Sequence, residues 1–231
     1  MNFKTRLLMG AAALLLAAPL SANVITPGQC VGLPSPCTGT SVGATLDTFN
    51  IPAPGTFVTG STKTVNQGGI TGAFRTAVYR NSSNVLDFYY QFHNTSSAAI
   101  NRITTVNFGG FSTNVGFVTA DIDGTLGAGS GGTAVNFVAG TQAPTAADRS
   151  STPGSTIGFD FKGGTDNITN GEISRIFVIR TNATSWSSGS TFFINGGIAS
   201  VASFQPVPEP STYALMGAGL LALGMVRRKR K

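Results

Sequence analysis

The sequence predicts an all-β fold: a single antiparallel β-sandwich, jelly-roll-like, set between an N-terminal signal peptide and a short C-terminal transmembrane helix. Three observations predict it. Leu86, Phe88, Tyr90 and Phe92 alternate with Asp87, Tyr89, Gln91 and His93, and Ile157, Phe159 and Phe161 alternate with Thr156, Gly158 and Asp160. Each run therefore has one apolar face at the two-residue period of a strand. Clusters of Gly, Asn, Ser and Thr punctuate the chain at 81–84, 94–97, 109–110, 163–167 and 187–190. No internal segment sustains the period of an amphipathic helix.

The chain opens with Lys4 and Arg6 ahead of a nearly unbroken Leu/Ala run over 7–18, then Pro19, Leu20, Ser21 and Ala22. A basic start, a short apolar stretch and small closing residues make 1–22 a secretory signal peptide. Residues 23–206 follow as the β-domain. Its first part, 23–60, is less regular and reads as an irregular arm or as the first edge strands. Further strands are expected over 73–80, 86–93, 100–108, 114–122, 133–139, 156–161, 172–180 and 192–204. Ile176-Phe177-Val178-Ile179 is apolar on both faces, as a central strand would be. About eight strands at this spacing fit one sandwich, with the 16 Phe of the chain as core filling.

Cys30 and Cys37, the two cysteines of the chain, lie close behind the signal peptide with Pro34 and Pro36 between them. In an oxidising compartment they read as one disulfide, contributing about 2.5 kcal/mol at most for so short a loop.

The last 25 residues, 207–231, have three parts in order: Val207-Pro208-Glu209-Pro210, an apolar stretch over 213–226, and Arg227-Arg228-Lys229-Arg230-Lys231. As a helix the apolar stretch covers roughly 21 Å, short of a hydrocarbon core of about 30 Å. Bilayer thinning and snorkelling of the arginines narrow the gap. The basic tail is expected on the cytoplasmic side, so the body faces away from the cytoplasm.

The segment VPEPSTYALMGAGLLALGMVRRKRK resembles the PEP-CTERM sorting signals of bacterial proteins handled by exosortase, a membrane-embedded thiol transpeptidase. The resemblance implies that Pro208, Glu209 and Pro210 are the recognition tripeptide and that cleavage nearby releases the protein from its helix. It also implies a destination at the cell surface or in an extracellular exopolysaccharide matrix. Two prolines keep the tripeptide extended and stripped of amide donors, a form a processing enzyme can engage.

Net charge is +6, and every unit of that excess sits in the two ends. Residues 23–206 carry eight basic and eight acidic groups, so the body is neutral and lacks the basic patch that nucleic acid requires. Gly127-Ala128-Gly129-Ser130-Gly131-Gly132 matches G-x-G-x-x-G but precedes a strand rather than a helix, and reads as a hairpin loop. Asp121-Ile122-Asp123-Gly124 resembles part of a calcium loop but lacks the distal ligands, and reads as an Asp-Gly turn. His93 is the single histidine, and Asp87 and Asp160 fall on the polar faces of their strands, so no catalytic set is named. Neither a metal nor a cofactor is expected. Trp186, in a small polar loop, and Tyr89, on a polar strand face, are candidate carbohydrate contacts. Together these features predict an exported, non-catalytic protein with a structural or adhesive role. The alternatives are a carbohydrate-binding module and, third, a secreted hydrolase.

Overall fold

The computed structural model describes residues 23–32, 40–49, 55–118, 135–162 and 167–208. The signal peptide, Cys37, the 119–134 segment with Asp121, Asp123 and the Gly-rich run, Glu209, Pro210 and the C-terminal apolar stretch lie outside the described residues.

The described residues are all-β, with no helix. In chain order the strands begin with β1 (Asn23–Val24), β2 (Gln29–Gly32), β3 (Thr40–Ser41), β4 (Asp47–Phe49) and β5 (Thr56–Gln67). There follow β6 (Ile70–Arg80), β7 (Leu86–Asn94), β8 (Arg102–Thr105), β9 (Thr113–Val118) and β10 (Ala146–Arg149). The last four are β11 (Ile157–Asp160), β12 (Ile176–Thr181), β13 (Ser185–Ile194) and β14 (Ile198–Val207). One sheet runs β1-β9-β12-β7-β6-β5, with β4 parallel to β9. The other runs β14-β13-β8-β11-β10-β2-β3, and its β2–β3 pair is also parallel. All other pairs are antiparallel.

The two sheets share one core. Phe74, Val78, Leu86, Phe88, Tyr90, Phe92, Phe177 and Ile179 enter it from the first sheet, and Val31, Ile103, Ile157, Phe159 and Phe193 from the second. Phe92 meets Phe193 at 4.4 Å between ring centroids and Phe159 meets Phe177 at 4.8 Å, so the aromatic rings of one sheet interlock with those of the other. The Tyr90 hydroxyl donates a hydrogen bond to the Phe204 carbonyl at 2.9 Å, tying β7 to β14 across the interior.

β12 lies between β9 and β7, the central position its doubly apolar sequence requires. The outward face of this sheet is also covered. Phe49, Ala77, Tyr79, Tyr89, Val118, Val135, Phe137, Ile176 and Val178 form a second apolar cluster there. The strand expected over 133–139 is not one in its described part. Residues 135–139 belong to no strand, Val135 and Phe137 are buried on this face, and Gln91 replaces the missing ladder. The Gln91 amide donates to the Val138 carbonyl at 2.7 Å and accepts from the Val138 N–H at 3.1 Å.

Two further expectations need correction. Residues 192–204 are not one strand but the meeting of β13 and β14, which reverse at Asn195-Gly196-Gly197. The Ser187–Ser190 stretch, read as a separator, lies inside β13, where Ser side chains hydrate an outer face. The irregular 23–60 region contributes β1 to β4 and the start of β5 to the two sheets. Its longest strand pairs with β6 through Gly68 (φ 61°) and Gly69 (φ 77°), the two left-handed positions a two-residue hairpin turn demands. Cys30 is buried on β2, its Sγ 3.9 Å from the Thr40 carbonyl oxygen.

Candidate functional site

The outward face of the first sheet opens at one end into a cavity of about 490 Å³. Gly55 and Thr56 at the start of β5, Arg80 at the end of β6, the turn 81–83, Asp87 and Tyr89 on β7, and Arg180 on β12 surround it. Sequence alternation places Asp87 and Tyr89 on one face, and the β7–β12 register sets Arg180 directly opposite Asp87. The turn is built by Asn81. Its side-chain oxygen accepts from the Ser83 N–H at 2.9 Å, Asn84 takes a left-handed conformation (φ 63°), and the Asn81 amide is left to donate to Asp87 Oδ1 at 3.0 Å.

Asp87 is buried, and burial raises its carboxyl to about 6; Arg180 and the Asn81 amide oppose the rise without cancelling it. Arg180 Nε stands 3.5 Å from Asp87 Oδ2, a loose ion pair, while its guanidinium lies 4.2 Å over the Phe49 ring. Arg80 is turned to backbone, donating to the carbonyls of Asn84 at 2.9 Å and Thr184 at 3.2 Å. Tyr89 is wholly buried and its hydroxyl has no hydrogen-bond partner among the described residues. Burial pushes that phenol up, with the nearby Asp87 charge acting in the same direction.

The candidate aromatics thus sit differently from their sequence reading. Tyr89 is not on a solvated face, because the second apolar cluster covers that side of β7. Trp186 is not in a loop. It is the second residue of β13, half-buried against the shared core, with its ring edge-on to Phe204 at 5.1 Å. His93 is half-buried at the end of β7 and bridges to Ile173.

Asp160 and Asp87 were both expected on polar faces, and both are buried. They lie on different sheets. Asp160, on β11, accepts a hydrogen bond from Arg102 Nη1 at 2.7 Å, and the same nitrogen stands 2.6 Å from Asp148 on β10. Arg102 reaches both carboxylates by crossing the outer surface of β11 over Gly158. A Cβ at that position would stand 2.0 Å from Arg102 Nη2. Desolvation raises the Asp160 carboxyl and Arg102 counteracts it. No group of three or more metal-ligating side chains occurs among the described residues.

The other functional region is the end of β14. Trp186 pairs with Pro206 and Ser185 with Val207, and the ladder stops there; Pro208 is exposed immediately beyond it. A family model, the PEP-CTERM protein-sorting motif, matches residues 206–231. The chain carries a PEP-CTERM sorting signal. That signal directs a protein through the membrane to the cell surface and marks it for processing by exosortase. No curated protein and no solved structure matches the chain. The first two positions of the PEP-CTERM match, Pro206 and Val207, belong to the β13–β14 ladder, so body and signal abut without a linker.

Proposed function

We propose that this PEP-CTERM protein is a surface or exopolysaccharide-matrix component with a structural or adhesive, non-catalytic role. Its body is a β-sandwich, jelly-roll-like, delivered by the 1–22 signal peptide and held at the inner membrane by the 213–226 helix until exosortase cuts near Pro208, Glu209 and Pro210. The observation that carries the proposal is the position of the signal: it starts where β14 ends, so cleavage there releases the whole two-sheet body with its last strand intact. A Cys30–Cys37 disulfide fits the periplasmic route and would tie the residues that follow β2 back to that strand.

Mass spectrometry of protein recovered from the exterior of its host is expected to show a C-terminus near Pro210. Recovery of chain ending at Lys231 from outside the cell would overturn the processing. Non-reducing peptide mapping is expected to show the Cys30–Cys37 link in the same material.

A second reading, carbohydrate binding, is favoured by the cavity beside Tyr89. The half-buried, core-packed position of Trp186 leaves less of its face for stacking on a sugar. The hydrolase reading draws least support. Its two carboxylates, Asp87 and Asp160, lie on different sheets and Asp160 does not line the cavity that Asp87 borders, whereas glycosidases hold such a pair roughly 5–9.5 Å apart across one cleft.

A further inference from the structure

The cavity on the first sheet lies at the end of the body from which the sorting signal leaves. Arg80 on its rim donates to the Thr184 carbonyl at 3.2 Å, and the next residue, Ser185, pairs with Val207 at the end of the ladder. Residues 208–212 then separate Val207 from the apolar stretch, a reach of at most about 17 Å. The headgroup layer on one side of a bilayer takes up roughly 5–8 Å of that reach. An apolar stretch shorter than the hydrocarbon core also draws its junction toward the bilayer. With 213–226 in the membrane, as proposed above, this end of the body is held close to the headgroups.

The charge exposed at this end is cationic. Two guanidiniums, Arg80 and Arg180, line the cavity against one carboxylate, Asp87. The Asp87 side chain is only 4% exposed, whereas that of Arg180 is 36% exposed. Arg80 is fixed by its bonds to the Asn84 and Thr184 carbonyls and makes no ion pair among the described residues. A third arginine here, Arg149, is buried against the Ile25, Phe108 and Gly154 carbonyls. The other described acids are placed elsewhere or engaged. Asp148 and Asp160 are held by Arg102, Asp47 pairs with Gly116 part-way along β9, and Glu172 meets Asn94 at the opposite end of β7. Glu209 in the signal returns one negative charge, so three arginines stand against two acids.

The rim suits an oxyanion. Thr56, Ser82 and Ser83 are exposed there and add hydroxyl donors, and the Asn81 side chain fixes the turn that carries the serines. Arginine matches phosphate oxygens with its forked donors and gives up its hydration more readily than lysine. The volume, about 490 Å³, lies within the roughly 300–1,000 Å³ of small-molecule sites.

We propose that, while the signal is uncut, Arg80 and Arg180 seat the phosphate of an anionic phospholipid headgroup at this cavity and dock the signal-bearing end of the body on the membrane. The docking rests on the membrane placement of 213–226 and is independent of the carbohydrate reading. Cleavage near Pro210 removes the tether, and the contact is then too weak to retain the body.

The test places the full-length protein in nanodiscs of phosphatidylcholine alone or of phosphatidylcholine mixed with rising fractions of phosphatidylglycerol. Amide hydrogen exchange is followed over 81–85 and 182–184. Both segments are expected to exchange more slowly as phosphatidylglycerol rises, and the titration gives the headgroup affinity. Arg180→Gln is expected to weaken that affinity about fivefold, and Ser83→Glu on the exposed rim by a similar factor. Both variants are expected to keep the parent's exchange pattern in phosphatidylcholine, which separates lost docking from lost folding. Protein that fails to stay in the discs overturns the membrane placement and the docking with it. Protein retained with no dependence on phosphatidylglycerol overturns the docking alone. Protection given by inorganic phosphate in phosphatidylcholine discs but not by phosphatidylglycerol overturns the lipid source. Protection untouched by both substitutions overturns the placement at this cavity.

Discussion

Two arginine–aspartate clusters occupy the outward faces of the two sheets, and they differ in how completely they are closed. On the second sheet, Arg102 sits at 2.6 and 2.7 Å from two carboxylates and is laid flat across Gly158. On the first, Arg180 stands 3.5 Å from a single carboxylate, rests on Phe49 and borders an open cavity. The same residue types make a structural clasp in one place and the wall of a cavity in the other. The difference lies in the neighbours: a glycine lets Arg102 lie against the sheet, while Asn81 and the β6–β7 turn hold the Asp87 region open.

The largest expected effect breaks the clasp. Arg102→Ala leaves Asp160 wholly buried without its partner, and such a loss costs about 3–5 kcal/mol. Urea denaturation of the variant is expected to show it at neutral pH, with partial recovery in acid as the carboxyls protonate.

Next comes pH. Burial lifts the Asp87 carboxyl from 3.8 in the unfolded chain to about 6 in the fold. Between these values the folded state holds a proton the unfolded state has lost, so stability falls as pH rises from about 4 to about 6. The full span corresponds to roughly 3 kcal/mol at most, and Asp160, also raised by burial, acts with the same sign. Melting temperatures are expected to decline across this range, and Asp87→Asn is expected to flatten the decline. A profile that rises instead would show that Arg180 holds Asp87 far more tightly than its distance implies.

Gly158→Ala should be milder. Its Cβ displaces the Arg102 guanidinium while leaving every charge present, for a cost of about 1–3 kcal/mol. The smallest effect belongs to Arg180→Gln. Its side chain is 36% exposed and loosely paired, so at pH 5, where Asp87 keeps its proton, the loss is expected to stay within about 1 kcal/mol by denaturant titration. A loss as large as that of Arg102→Ala would erase the distinction between clasp and cavity wall.

Much of the fold was legible from periodicity. Strands β6, β7, β11 and β12 carry apolar residues on one face or both, and the structure puts them where those patterns point. The β13–β14 reversal had a signal, Asn195-Gly196, inside what read as one long strand. β5 had little to read, since its Thr- and Ser-rich faces are mostly half-exposed and its identity comes from pairing with β6. Of the candidate site, Tyr89 and Asp87 were visible as a polar-face pair. Their burial was not, because alternation reports that a strand has two faces and says nothing of what covers the second.

By itself the sequence determined what is local and linear. It settled the all-β character, since a two-residue period cannot serve a helix, and the neutral charge of the body against two basic ends. It also settled the sorting signal, whose parts follow one another along the chain. Only the tertiary structure decided which polar groups meet. Arg102 finds Asp148 and Asp160, Gln91 finds Val138, and Arg180 faces Asp87, from positions between 46 and 93 residues apart. Register between distant strands is a property of the whole core, and no stretch of the chain contains it alone.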